Sequence, residues 1–149
     1  MAINPLKVLF VASEVEGLVK TGGLADVAKA LPQHLAREGH DVRIILPFYK
    51  TLKRRDEAVL LASRWLPTPQ GRDDISYRIY QLELDGICVY LLDCPPYFER
   101  PQLYAENNQA YPDNGERFAF LAAAALHACE QLNFAPDIVH CNDWHTGLL

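Results

Sequence analysis

Leu6-Lys7-Val8-Leu9-Phe10-Val11-Ala12 decides how the rest of the chain is read. The run is almost continuously apolar and does not alternate, the pattern of a strand covered on both faces and so of a central strand in a parallel sheet. Past the polar stretch Ser13 to Thr21 and the pair Gly22-Gly23, apolar side chains recur at Leu24, Val27, Ala28, Leu31 and Leu35. That spacing lines one face of a helix. Asp41-Val42-Arg43-Ile44-Ile45-Leu46-Pro47 is a second strand-like run. Strand, helix and strand in this order form a crossover unit, which is normally right-handed and parallel. Pro32 lies inside the helical stripe, where it costs about 3 kcal/mol, so the pattern predicts a kink or a second helix with Pro32 in its first turn. Gly39 then ends the helix.

Outward from this unit the pattern changes. Val59–Trp65, Ser76–Leu84 and Ile87–Leu92 read as strands, and Asp85-Gly86 between the last two is a strong hairpin signal. They are expected to add antiparallel strands to one edge of the sheet. Cys94 to Pro112, with four prolines and three tyrosines, shows no period and reads as a long irregular loop, a kind of segment that often carries function. Asp113 followed by Glu116 resembles a capping box, and Phe118, Leu121, Ala122, Ala125, Leu126, Cys129 and Leu132 then hold a helical stripe for about four turns. Pro136-Asp137-Ile138-Val139-His140-Cys141 reads as another buried parallel strand, and Asp143-Trp144-His145-Thr146-Gly147 turns out of its carboxyl end. The sum is an α/β, Rossmann-like, doubly wound and mainly parallel sheet. Because such a sheet normally continues past a strand into another crossover helix, the chain is expected to be a truncated piece of a longer protein.

Composition narrows the class. The 149 residues are 50% hydrophobic and 22% charged, ordinary for a soluble globular domain. The net charge is -5, and no basic run exceeds Lys53-Arg54-Arg55, which argues against a nucleic-acid partner. The longest apolar run, Phe118 to Leu126, has nine residues, against roughly 18 for a membrane span. Met1-Ala2-Ile3-Asn4-Pro5 lacks the basic and apolar regions of a cleaved signal, so a cytoplasmic location without membrane association is expected. Cys88, Cys94, Cys129 and Cys141 form no Cys-x-x-Cys pair and read as reduced, mostly buried thiols.

Two segments can carry chemistry. The first is the loop Ser13 to Leu24: glycines between a strand and a helix let a ligand approach the backbone, the helix N-terminus favours anions, and Lys20 adds a positive charge. Gly22-Gly23 matches neither the dinucleotide fingerprint nor a P-loop, so a phosphate cradle and a tight structural turn both stay open. The second is His140-Cys141-Asn142-Asp143-Trp144-His145 at the carboxyl end of a strand, the edge at which open α/β sheets bind ligands. Both segments are expected to face one crevice. A metal site is disfavoured, since alternation separates His140 from Cys141 and the spacing fits no standard zinc pattern. His140 reads either as a hydrogen-bonded buried histidine or as a functional one. Trp144 is a packing anchor or a platform for a sugar ring.

Lys20-Thr21-Gly22-Gly23-Leu24-Ala25-Asp26-Val27, with Ser13-Glu14 before it and Ala30-Leu31-Pro32 after it, resembles the N-terminal signature of bacterial glycogen synthases and plant starch synthases. Tyr111-Pro112-Asp113-Asn114 with Arg117-Phe118, and Asp137 to His145, resemble later blocks of that family in the same order. The resemblance spans essentially residues 1–149. It implies a retaining hexosyltransferase of the GT-B type, built from two Rossmann-like domains, that moves glucose from ADP-glucose to the non-reducing end of an α-1,4-glucan such as glycogen. No cofactor and no metal is implied. This chain would be the front part of the acceptor-side domain, and its partner, the nucleotide-binding C-terminal domain of the same polypeptide, would lie beyond it. On matching positions, Lys20 and the Gly22 and Gly23 backbone would contact the donor diphosphate, and Asp143 would be the catalytic carboxylate near the transferred glucose. Glu14 and Asp26 would line or brace the crevice, Tyr104 would position sugar or acceptor, and His140 would belong to the substrate site. Many family members have histidine where this chain has Asn142, and Val15-Glu16-Gly17-Leu18 departs from the commoner proline-containing version.

Two other readings predict different features. A non-catalytic glucan-binding or regulatory module of the same fold would complete its last crossover helix. A nucleotide-dependent oxidoreductase would need a glycine fingerprint and an acidic residue ending the second strand, where this chain has Pro47-Phe48-Tyr49. The isolated chain is expected to have no synthase activity.

Overall fold

The computed structural model describes residues 4–149. Strand β1 (Lys7–Val11) leads through helix α1 (Gly23–Arg37) to β2 (Asp41–Pro47), paired parallel to β1. A short 3-10 turn (Arg55–Glu57) precedes the meander β3 (Val59–Pro67), β4 (Asp74–Leu84) and β5 (Ile87–Asp93). Next come the single helical turn α2 (Pro95–Phe98), the two-residue strands β6 (Ala105–Glu106) and β7 (Gln109–Ala110), and the long helix α3 (Asn114–Gln131). Strand β8 (Ile138–Cys141) and a 3-10 turn (Trp144–Thr146) follow. The main sheet has the order β3-β4-β5-β2-β1-β8, with β5, β2, β1 and β8 parallel and the β3-β4-β5 meander antiparallel at one edge, as expected.

This order dictates the layers. From β1 the chain moves one way to β2, and from β5 it returns past both to reach β8 on the far side. Two right-handed crossovers running in opposite directions place α1 and α3 on opposite faces. Leu9, Phe10 and Val11 are all fully buried although successive side chains point to opposite faces, which requires cover on both. The direction of travel also reverses between β1 and β8. The loops leaving those two strands therefore flank the crevice where such sheets bind ligands.

Four expectations need correction. Helix α1 is a single element through Pro32, so of the two alternatives the second helix starting there falls away; the Pro32 side chain is buried. The segment 94–112 is not irregular throughout. Pro95 and Pro96 start α2, where a missing N–H costs nothing, and Asn107 and Asn108, at φ 51° and 60°, make the turn of the β6-β7 hairpin. The capping box does not form: Asp113 gives its carboxylate to Arg100 at 2.6 Å and Glu116 accepts from the Tyr97 hydroxyl at 2.7 Å. Finally, β8 pairs parallel to β1 but is an edge strand, half-buried at Val139 and His140 and exposed at Ile138 and Cys141. Its apolar composition was the sign of burial, yet no neighbour covers its outer edge in the described residues. The cysteines are all free; Cys94 and Cys129 are buried, Cys88 is half-buried and Cys141 is exposed.

Candidate active site

Glu14 is the centre of the site. It follows β1 at its carboxyl end and is only 4% exposed. Its carboxylate accepts the Thr21 N–H at 2.5 Å, the Thr21 hydroxyl at 2.7 Å, the Gly22 N–H at 3.2 Å and the Tyr104 hydroxyl at 2.7 Å. Burial by itself pushes this carboxyl up, but the donors from Tyr104, Thr21 and Gly22 outweigh it and hold the pKa below the ordinary glutamate value. An ionised carboxylate thus gathers the glycine loop on one side and the Tyr104 segment on the other. Tyr104 also reaches the Ser13 hydroxyl at 2.8 Å. Burial drives its phenol well above the ordinary tyrosine value, so it stays protonated and serves as a donor.

Gly22 caps α1 with φ -159° and ψ -166°, and neither Gly22 nor Gly23 has a positive φ. A tight turn that demands glycine is therefore not what these positions form. A Cβ built at either would meet no atom within 4 Å, so the space in front of both backbones is open. Gly23 and Leu24 begin the helix, and first-turn N–H groups have no intrahelical acceptor. Lys20 stands beside them with its ammonium 2.6 Å from Asp26. The hydrogen bond to Lys20 holds the Asp26 carboxyl low, and both side chains are about half exposed. An exposed pair of this kind is worth little, so Lys20 can exchange Asp26 for an incoming anion at small cost.

Beyond β8 the chain turns sharply. Asp143 sits at φ 64°, ψ -175°, a region that side chains other than glycine's rarely adopt, at a cost of about 1–3 kcal/mol. Its carboxylate caps the following turn by accepting the Trp144 N–H at 2.7 Å. The strain is held in place by Asn142, whose amide donates to the Val11 carbonyl at 2.8 Å and the His140 carbonyl at 3.2 Å, tying the ends of β1 and β8 together. Asp143 itself remains exposed at the rim.

The aromatic residues join these parts. His145, 4% exposed, lies 4.6 Å from the Tyr104 ring, 5.0 Å from Phe118 and 3.9 Å from Trp144 between ring centres. Burial lowers its pKa, with Asp143 opposing, and both ring nitrogens lack partners. His140 stacks on Phe10 at 4.6 Å and 9°, with its buried Nδ1 unpartnered. It is neither the hydrogen-bonded core histidine of the first alternative nor linked to the Glu14 network. Two hollows meet at Leu103: one of about 260 Å³ beside Lys20 and Lys53, the other of about 330 Å³ along Thr21, Pro101 and Tyr104. A hollow of about 290 Å³ between Arg37 and Gly86 lies at the opposite end of the parallel strands and holds none of the candidate residues. Among the described residues no group of three His, Cys, Asp or Glu could hold a metal ion.

The structure therefore joins Glu14, Gly22 and Tyr104 directly, pairs Lys20 with Asp26 beside them, and places Asp143 at the neighbouring strand end. Sequence reasoning missed Thr21, Ser13 and Asn142 as the groups that tie this site together. Thr21 and Ser13 stand inside the quoted motifs without a role of their own, and a polar side chain beside the glycine loop was their available signal.

A Rossmann-like sheet with an open glycine loop after one strand and a carboxylate on a strained backbone after the neighbouring strand has the layout of the edge at which open α/β sheets bind ligands. Residues 7–149 match the family described as the starch synthase catalytic domain, and the chain belongs to that family. It is 85% identical to a glycogen synthase of Aeromonas hydrophila over 149 residues, all of this chain and 31% of the relative. It is 59% identical to a glycogen synthase of Photobacterium profundum over 146 residues, 98% of this chain and 29% of the relative. Among solved structures it matches the catalytic domain of Starch Synthase IV from Arabidopsis thaliana bound to ADP and acarbose, at 30% identity and TM-score 0.86, covering 97% of this chain and 29% of that one. The chain thus spans about three-tenths of the curated relatives it matches. No helix among the described residues is long and apolar enough to cross a membrane.

Proposed function

We propose that the full-length protein transfers glucose from ADP-glucose to the non-reducing end of an α-1,4-glucan with retention, and that this chain is the acceptor-side part of its site. The observation that carries the reading is the Glu14 carboxylate, which binds the Gly22 backbone and the Tyr104 hydroxyl at once and so couples a phosphate-type loop to an aromatic sugar platform. Lys20, with the open backbone at Gly22 and Gly23, stabilises the negative charge that builds on the diphosphate as the bond to glucose C1 breaks. Asp143 faces the sugar, where its carboxylate stabilises positive charge at C1, and its strained backbone fixes its direction. Tyr104 positions the sugar or the acceptor, His140 belongs to the wall of the substrate site, and Asp26 holds Lys20 in place until donor arrives. The nucleotide-binding partner domain belongs to the rest of the polypeptide, and no cofactor or metal takes part. The protein works in the cytoplasm.

The relatives named glycogen synthase and the ADP- and acarbose-bound starch synthase support this reading. The test is incorporation of labelled glucose into glycogen by the full-length protein, with ADP-glucose and UDP-glucose offered separately. Transfer from ADP-glucose, reduced at least about a hundredfold by Asp143→Ala, is expected from the loss of a group that stabilises developing charge. No transfer from either donor would sink the reading.

A further inference from the structure

Arg117 is fully buried, yet among the described residues no carboxylate lies within ion-pair distance of it. A buried charge without a counter-ion is costly and persists only where its hydrogen bonds are well placed. The acceptors here are three oxygens of one segment. Nε donates to the Tyr97 carbonyl at 2.6 Å, and Nη1 to the Leu103 carbonyl and the Asn114 side-chain oxygen, both at 2.8 Å, while Nη2 is buried without a hydrogen-bond partner among the described residues. The rings of Tyr111, Phe118 and Phe98 lie 4.9–5.5 Å from the guanidinium carbon and supply further attraction. Asn114 passes the restraint on, since its amide donates to the Tyr104 carbonyl at 2.9 Å, which also accepts the Tyr111 N–H.

Both peptide carbonyls that flank the Tyr104 side chain are thus held, one by Arg117 and one by Asn114. From that anchored position the Tyr104 hydroxyl meets Glu14, and Glu14 meets the Thr21 and Gly22 N–H groups. Resting on the functional reading above, we propose that Arg117 is a positioning residue: through Asn114, Tyr104 and Glu14 it sets the place of the Gly22-Gly23 loop, so the acceptor-side tyrosine and the donor-phosphate loop move as one unit. Arg117 touches no substrate. It acts because a planar fork reaches several carbonyls at once, which an ammonium on a flexible stem does not reproduce.

The test uses the full-length protein and the variants Arg117→Lys, Tyr104→Phe and their double. Hydrogen exchange by mass spectrometry is read on the peptide covering residues 16–24, which touches Arg117 nowhere. Exchange at Thr21 and Gly22 is expected to speed about tenfold in each single variant and no further in the double, the non-additivity of linked groups. Unchanged exchange in Arg117→Lys overturns the inference. So does a double variant whose acceleration is the product of the two singles. kcat/KM for ADP-glucose should fall about tenfold in each single variant, again without multiplying. A merely structural arginine would lower the melting temperature and leave both readouts at wild-type values. If Arg117→Lys does not fold, Asn114→Ala replaces it in the same cycle, with the same outcomes deciding. Loss of transfer in the wild-type protein would bear on the function alone, because the exchange readout needs no activity.

Discussion

Glu14 has two opposing pressures on its charge, and the donors win. Its stabilising effect is present above the ordinary glutamate value of 4.5 and is lost as pH falls through its lower folded value, because only the carboxylate accepts all four donors. Glu14→Gln keeps the shape but turns one acceptor into an N–H facing other donors, so unfolding in urea should show a loss of about 2–3 kcal/mol at pH 7. That loss should shrink below pH 4; an equal loss at pH 3 would show that the charge is not what matters. His145 titrates in the same direction from a different cause. Burial lowers its pKa from the ordinary 6.5, so the unfolded chain takes up the proton first and stability falls as pH drops below about 6.5. Replacing the imidazole by Phe removes that proton uptake. The urea midpoint between pH 7.5 and 5.5 should decline less in His145→Phe than in wild type, and equal declines would refute the assignment.

At the level of elements, the same substitution should have opposite signs at two glycines. Asp85 and Gly86 join β4 to β5 with φ values of 49° and 83°, the twisted two-residue turn that Asp-Gly favours. A Cβ at Gly86 meets no neighbour, so Gly86→Ala is penalised by backbone conformation alone, about 1–2 kcal/mol. Gly115 lies in the first turn of α3 with equal space around it, and Gly115→Ala should stabilise by about 0.5 kcal/mol. Denaturant titration of both variants checks the pair; a loss at Gly115 would mean that the small hollow beside Trp144 cannot take a methyl group. These elements were legible because local chemistry determines them: periodicity for α1 and α3, apolar runs for β1 and β2, a dipeptide for the turn. The β6-β7 hairpin was hidden because Asn107-Asn108 sits between strands of only two residues. The failed capping box has a different origin, since Arg100 competes for Asp113 through a contact that no sequence spacing encodes.

The whole molecule explains which parts of the site could be read in advance. Lys20, Gly22 and Gly23 follow one another in the chain and announce themselves; the Tyr104–Glu14 and Asn142–Val11 bonds span 90 and 131 residues and exist only once the sheet has formed. Those long-range bonds join three segments into one rim. What the rim lacks among the described residues is an opposite wall: Trp144 is 54% exposed and Leu148 76%, and the hollows near Lys20 and Tyr104 are open to solvent. Catalysis by charge stabilisation depends on excluding water from the reacting centre, where each interaction would otherwise be weakened several-fold. The chain by itself should therefore bind malto-oligosaccharide weakly, with a Kd of about 1 mM or above, and transfer no glucose. Calorimetric titration of malto-oligosaccharide and ADP-glucose into the chain, beside Lys20→Ala and Asp143→Ala variants, measures this directly. Nucleotide-sugar binding as strong as glucan binding, abolished by Lys20→Ala, would mean that the donor site is complete within these residues. The division of the site between two domains would then be wrong, because Lys20 and the Gly22-Gly23 backbone would suffice to hold the donor without an opposite wall.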